Sequence, residues 1–173
     1  MRVASFLLAA TLPVAAFAAP APQLSWGKAG VSLPTYRAES IGCAMRAYYT
    51  DVSDTHAAKN FVQGSKQIDS IINSGADYMS VATSVGHVVD GVNPDRGIKE
   101  VKQFQLDLVA KCLLDHGYHR FRLTEDQRQH LEKLKTGSDA RHAYLHRLAA
   151  DPQVLQAQAA PDPVVVATPQ TEM

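Results

Sequence analysis

His142 and His146 stand four residues apart in a segment whose apolar spacing predicts a helix, so both imidazoles share one face. That spacing can chelate a transition metal. A zinc-protease helix would place Glu directly after the first His, whereas Ala143 stands there. A third ligand would have to come from His116, His119 or His130. The competing reading is two polar residues on a half-exposed face, with His146 hydrogen-bonded to a loop carbonyl. Cys43 and Cys112 are the only two cysteines, too few for a Cys-only zinc site or an iron–sulfur cluster. They form no C-x-x-C pair, and neither lies at a cationic helix start, as a redox thiol would.

Other residue patterns carry less. His116 and His119 flank a Gly-Tyr pair at an expected helix end, where the helix dipole favours a charged imidazole. Ser25-x-x-Lys28, Ser53-Asp54 and Lys135-Thr136-Gly137 follow in the order of penicillin-binding-protein motifs. That chemistry needs the serine at a buried helix start and the Lys-Thr-Gly on a strand edge. Here the first lies in a Gly/Pro-rich lead-in, the second has Thr55 in place of its Asn, and the third ends a helix. No G-x-S-x-G elbow, P-loop, G-x-G-x-x-G, H-E-x-x-H or EF-hand loop occurs. The stretch 119–147 is basic through Arg120, Arg122, Arg128, Lys133, Lys135, Arg141 and Arg147. Glu125, Asp126, Glu132 and Asp139 interleave with them. Such a mixture makes solvated helix faces with i,i+4 pairs; the alternative is a docking face for an anionic envelope component.

The N-terminus supplies an address. Arg2 precedes an apolar run from Val3 to Phe17, which ends in Ala16-Phe17-Ala18, then Ala19 and Pro20. This is the pattern of a secretory signal peptide over residues 1–18, cut between Ala18 and Ala19. The run is shorter than the ~20 apolar residues of a spanning helix. No cysteine near the cut offers a lipid anchor. An exported chain with two cysteines is expected to pair them, because thiols oxidise outside the cytoplasm. Pairing Cys43 with Cys112 would close a loop of about 70 residues, worth ~4 kcal/mol in the chain-entropy view. The expected location is the periplasm or the medium.

Composition bounds the rest. The 173 residues suit one domain, and 46% hydrophobic with 20% charged residues is a globular balance. Lys plus Arg equals Asp plus Glu, 17 against 17, which argues against a nucleic-acid binder with a broad basic surface.

The elements that must position these groups read as helices. Residues 19–34 form a Pro/Gly-punctuated lead-in, with Trp26 and Val31 packing onto the body. Helical stripes cover 35–49, 54–73, 98–116, 124–135, 138–148 and 152–158. Ser32 or Thr35, then Ser53-Asp54-Thr55, Thr124-x-x-Gln127, Ser138 and Asp151-Pro152 act as start signals. Residues 74–97 are the least regular stretch, a short helix or irregular packing, punctuated by glycines and Asn93-Pro94-Asp95. Tyr118–Leu123 reads as an ordered connector, since a lone strand has no evident partner. The expectation is one all-α domain over 35–159, an irregular bundle of five or six helices stapled by one disulfide. A flexible tail over 160–173 follows.

With these residues laid out, the chain resembles a family of secreted alphaproteobacterial proteins. Trp26-Gly27-Lys28-x-Gly30-Val31, Tyr36, Cys43 and Tyr49-x-Asp51-x-Ser53-Asp54-Thr55 carry the first half of that resemblance. Cys112-Leu113, Gly117-Tyr118-x-x-Phe121-Arg122-Leu123-Thr124, Gly137-Ser138, Arg141, Tyr144-Leu145-His146 and Asp151-Pro152 carry the second. The resemblance spans about residues 26–158. It implies export and a paired Cys43 and Cys112, and it implies no activity and no catalytic residues. The expected function is therefore a non-enzymatic binding module of the bacterial envelope, with an envelope protein or polymer as partner and no cofactor. The alternatives are a transition-metal protein using His142 and His146, or a periplasmic enzyme without a local motif.

Overall fold

The computed structural model describes residues 23–164. The expected signal segment, its Ala18–Ala19 cut and the last part of the expected tail lie outside them. Each helix starts where a side-chain oxygen can satisfy unpaired backbone N–H groups. Ser32 caps α1 (Leu33–Tyr48) by accepting from Thr35 N, with Pro34 in the first turn. Thr55 caps α2 (His56–Ile72). Asp77 caps α3 (Tyr78–Val92), accepting from Met79 N and Ser80 N. Asn93 ends α3 in the left-handed region, φ 49°, and its side chain caps α4 (Pro94–Asp115). Thr124 and Gln127 form a reciprocal capping box at α5 (Glu125–Lys133). Ser138 caps α6 (Asp139–Ala150), and Asp151 caps α7 (Pro152–Ala157).

The all-α class is as expected, and one disulfide joins Cys43 to Cys112. The described residues hold seven helical segments rather than five or six. The stretch 74–97, expected to be the least regular, makes α3 and the first turn of α4. Asp77 and Asn93 supply the caps, and Val81, Val85 and Val88 turn inward as half-buried residues against α2.

Two further differences concern strands. Leu24–Gly27 forms β1 and His119–Arg122 forms β2, an antiparallel pair with Leu24 opposite Arg122 and Gly27 opposite His119. The lead-in is thus the partner that the 118–123 connector lacked, and α1 begins at Leu33, two residues earlier than expected. The start of the expected tail is also tied down. Arg122 N donates to Gln158 O, Ala160 N donates to Arg120 O, and Phe121 bridges to Ala159.

The ribbon organises the core. Phe121, Leu131 and Tyr118 are fully buried, and burying a side chain of that size contributes about 1.5–3 kcal/mol. One cluster joins Phe121, Leu123, Leu131, Leu148 and Ala149. The other joins Val31, Cys43, Cys112, Leu113 and Tyr118. β1 rests on α6, where Lys28 N donates to Ala149 O at 2.8 Å and Gly30 N to Ala150 O at 2.9 Å. That approach needs glycine at position 27: a Cβ there would stand 2.7 Å from Ala149 O and strike Leu155. α1 packs along α4, and α2 packs on α3 and α4.

Candidate functional site

A grouping of polar side chains lies beside the disulfide. Cys43 on α1 and Cys112 on α4 are 1% and 4% exposed, so their sulfurs sit inside the helix contact. Glu39 lies one turn before Cys43 on α1. His116 lies one turn after Cys112, at the C-cap of α4. Gly117 follows with φ 79°, the left-handed conformation that ends a helix without a Cβ clash. The chain then delivers Tyr118 into the core, and its hydroxyl donates to Glu39 Oε2 at 2.6 Å. Lys28 Nζ, from the end of β1, is 3.5 Å from the same oxygen. Glu39 Oε1 instead faces His116 Nδ1 at 3.7 Å. The Tyr118 hydrogen bond holds the Glu39 carboxyl below the ordinary glutamate range, and Lys28 and His116 add to this against partial desolvation. Burial first, and Glu39 second, push the Tyr118 hydroxyl far above the ordinary tyrosine range.

His142 and His146 are both on α6, yet they do different work. His146 Nε2 donates to Val31 O at 2.8 Å and its ring meets Tyr36 edge-on. It fastens the β1–α1 connection to α6. His142 is exposed and lines an open groove of about 430 Å³ between α1 and α6, with Leu33, Tyr36, Ile41 and Leu145. Arg37 places its guanidinium 3.3 Å from His142 Nδ1 and 2.9 Å from Asp139 Oδ1. The Arg37 guanidinium beside His142 opposes a second cation there. Among the described residues, the group of three or more close potential metal ligands is Cys43, Cys112 and His116. Sequence spacing points to the two cysteines but does not place Glu39, Lys28 or Tyr118 beside them. The available signal was a pair of i,i+4 spacings, Glu39 to Cys43 and Cys112 to His116.

His119 sits on the ribbon rather than at a helix end. Its Nδ1 is 2.8 Å from Asp162 Oδ2, while Arg120 N donates to Asp162 Oδ1 at 2.8 Å. Burial pushes the Asp162 carboxyl up, but His119 and Arg120 outweigh it and leave it below the ordinary aspartate range. Arg120 also covers the Trp26 ring, 5.2 Å from its centroid. Arg141 is held by the Leu131 carbonyl, and Arg128 pairs with Glu125. Arg120, Arg128 and Arg141 are thus half-buried and engaged within the fold, while Arg122, Lys133, Lys135 and Arg147 stay exposed. Ser25 lies in β1, Ser53 in the turn before α2 and Lys135-Thr136-Gly137 between α5 and α6, so none has the setting that an acylating serine site needs.

The exposed surface is unusually apolar on two helices. On α1, Ile41, Met45 and Tyr48 project at i, i+4 and i+7, and Tyr49 extends the row. On α3 no residue is buried, and Tyr78 and Met79 are 83% and 70% exposed. No family model, no curated protein and no solved structure matches this chain, so its site is characterised by its own geometry.

Proposed function

We propose that this chain is an exported interaction module that docks a protein of the bacterial envelope on the outer face of α3. One observation carries the reading. α3 is a fifteen-residue helix whose only acid is Asp90 and whose only basic-type residue is His87. A helix so poor in charge is normally enclosed by protein. Here Val81, Val85, Val88 and Val92 reach α2 and are half-buried, while Tyr78, Met79, Ala82, Gly86 and Val89 stay exposed. Tyrosine and methionine are enriched at the centres of protein interfaces, where charged side chains are depleted.

Three further points support the reading. The disulfide suits an oxidising compartment. The residue pattern of 1–18 is that of an export signal. No described helix is long and apolar enough to cross a membrane. The test is Tyr78→Asp combined with Met79→Asp. Both side chains point away from the fold, so the helical signal and Tm should stay within a few degrees of wild type. Crosslinked heterodimers formed in the envelope fraction should fall at least tenfold. Undiminished heterodimers in a folded double variant would reject α3 as the docking face.

A further inference from the structure

α1 and α4 meet with one cysteine each at the contact, and each cysteine has a second metal-ligating side chain one helical turn away. Glu39 precedes Cys43 by four residues, and His116 follows Cys112 by four. That spacing keeps each pair on one helix face. The two sulfurs and a His116 ring nitrogen all lie within 4.8 Å of one another. Glu39 Oε1 is 3.7 Å from His116 Nδ1, while its other oxygen is already held by Tyr118 at 2.6 Å and Lys28 at 3.5 Å. Two packed helices thus bring Cys43, Cys112 and His116 to a common point, and Glu39 stands beside the imidazole just outside it, in the manner of metal sites built between the helices of bundles.

We propose that, once the Cys43–Cys112 bond is opened, the two thiolates and the His116 imidazole bind one divalent ion of the zinc class, with the Glu39 carboxylate beside the imidazole as its outer partner. The disulfide and the metal are alternative occupants of one place. Two thiolates and an imidazole, with a solvent molecule in the fourth position, form a tetrahedral zinc donor set. Zinc–sulfur bonds of about 2.3 Å put the two sulfurs roughly 3.8 Å apart in such a site. The Cα atoms are 5.5 Å apart in the oxidised protein, so side-chain rotation provides that separation with the helices in place. Tyr118 and Lys28 hold Glu39 Oε2 and leave Oε1 facing His116 Nδ1, the place of the carboxylate that orients a metal-bound histidine. The His116 side chain is 40% exposed and gives the ion its entry.

The exchange balances. A dithiol reductant delivers two electrons and two protons, leaves as its own disulfide, and converts the bond to two thiols. The incoming ion displaces both thiol protons and binds His116 in its neutral form. In reverse, an oxidising disulfide removes two electrons, restores the sulfur–sulfur bond and releases the ion.

Cobalt(II) is the probe, added to the full chain after anaerobic reduction with a phosphine, with helical circular dichroism followed in the same samples. The expected result is a sulfur-to-cobalt charge-transfer band with tetrahedral ligand-field bands, saturating at one ion per chain and bleached by zinc. The oxidised chain should give none of these. His116→Ala and Glu39→Gln should each raise the dissociation constant at least tenfold. A reduced, helical chain without the sulfur band overturns the proposal, and so does a band that His116→Ala leaves unchanged. If reduction unfolds the chain, cobalt must restore the helical signal, and failure to restore it also overturns the proposal.

Discussion

Glu39 gathers contacts from Lys28, His116 and Tyr118 beside the disulfide. It accepts from Tyr118, pairs with Lys28 and faces His116 across a helix contact. Its carboxyl titrates below the ordinary value of 4.5. A depressed carboxyl stabilises the fold above its unfolded-state pKa, and that stability is lost as pH falls through the folded-state value. Asp77, held down first by the Ser80 hydroxyl and then by backbone N–H groups of the α3 cap, acts in the same direction. Tm should therefore fall as pH drops from about 5 into the carboxylate range. Glu39→Gln should start lower at neutral pH and fall less steeply through that window. Scanning calorimetry of both proteins from neutral to acidic pH checks this; parallel curves would remove Glu39 from the acid response. The pairing of Cys43 with Cys112 was legible in the sequence because two cysteines leave no choice of connectivity. The cluster around it was not, since Lys28, Glu39 and Tyr118 come from three distant segments and share no local motif.

Among the elements, helices were easier to read than strands for a physical reason. Caps are local: Thr124 and Gln127, or Asp151 before Pro152, announce a helix within four residues. The β1–β2 ribbon is not local: bulky and basic residues alternate over Tyr118–Leu123, but the partner of that segment is the distant lead-in, where Leu24 pairs with Arg122. α3 was obscured by its serines and glycines, which weaken helix propensity while Asp77 and Asn93 still fix its ends. The seam between β1 and α6 gives the sharpest test at this scale. Gly27→Ala would press a methyl group against the Ala149 carbonyl and the Leu155 side chain. Overpacking of this kind costs about 1–3 kcal/mol. Urea unfolding should show that loss with an unchanged m-value, and an unaltered midpoint would mean that β1 does not sit tightly on α6.

For the molecule as a whole, the disulfide and the α3 face pull in different directions. Cys43 and Cys112 are 69 residues apart, and a bridge of that span contributes about 4 kcal/mol by limiting the unfolded chain. Cys43→Ser with Cys112→Ser should lower stability by about that amount in denaturant titrations; a loss well under 1 kcal/mol would show that the helices hold without the staple. The stabilised core lies around α1, α4, β2 and α6, whereas α3 rests on α2 with its outer face uncovered. The all-α class and the helix ends were legible because caps and apolar periods are written locally. Which face stays uncovered was not, because that depends on which helices pack together. Whether a partner covers α3 is read out by in-cell photo-crosslinking. A photoreactive residue would be placed at Met79, Ala82 or Gly86 on the outer face, and at exposed Glu132 on α5 as comparison. A docking face on α3 predicts one discrete adduct shared by the three α3 positions and missing at Glu132. No adduct at any α3 position, or equal adducts at Glu132, would contradict it.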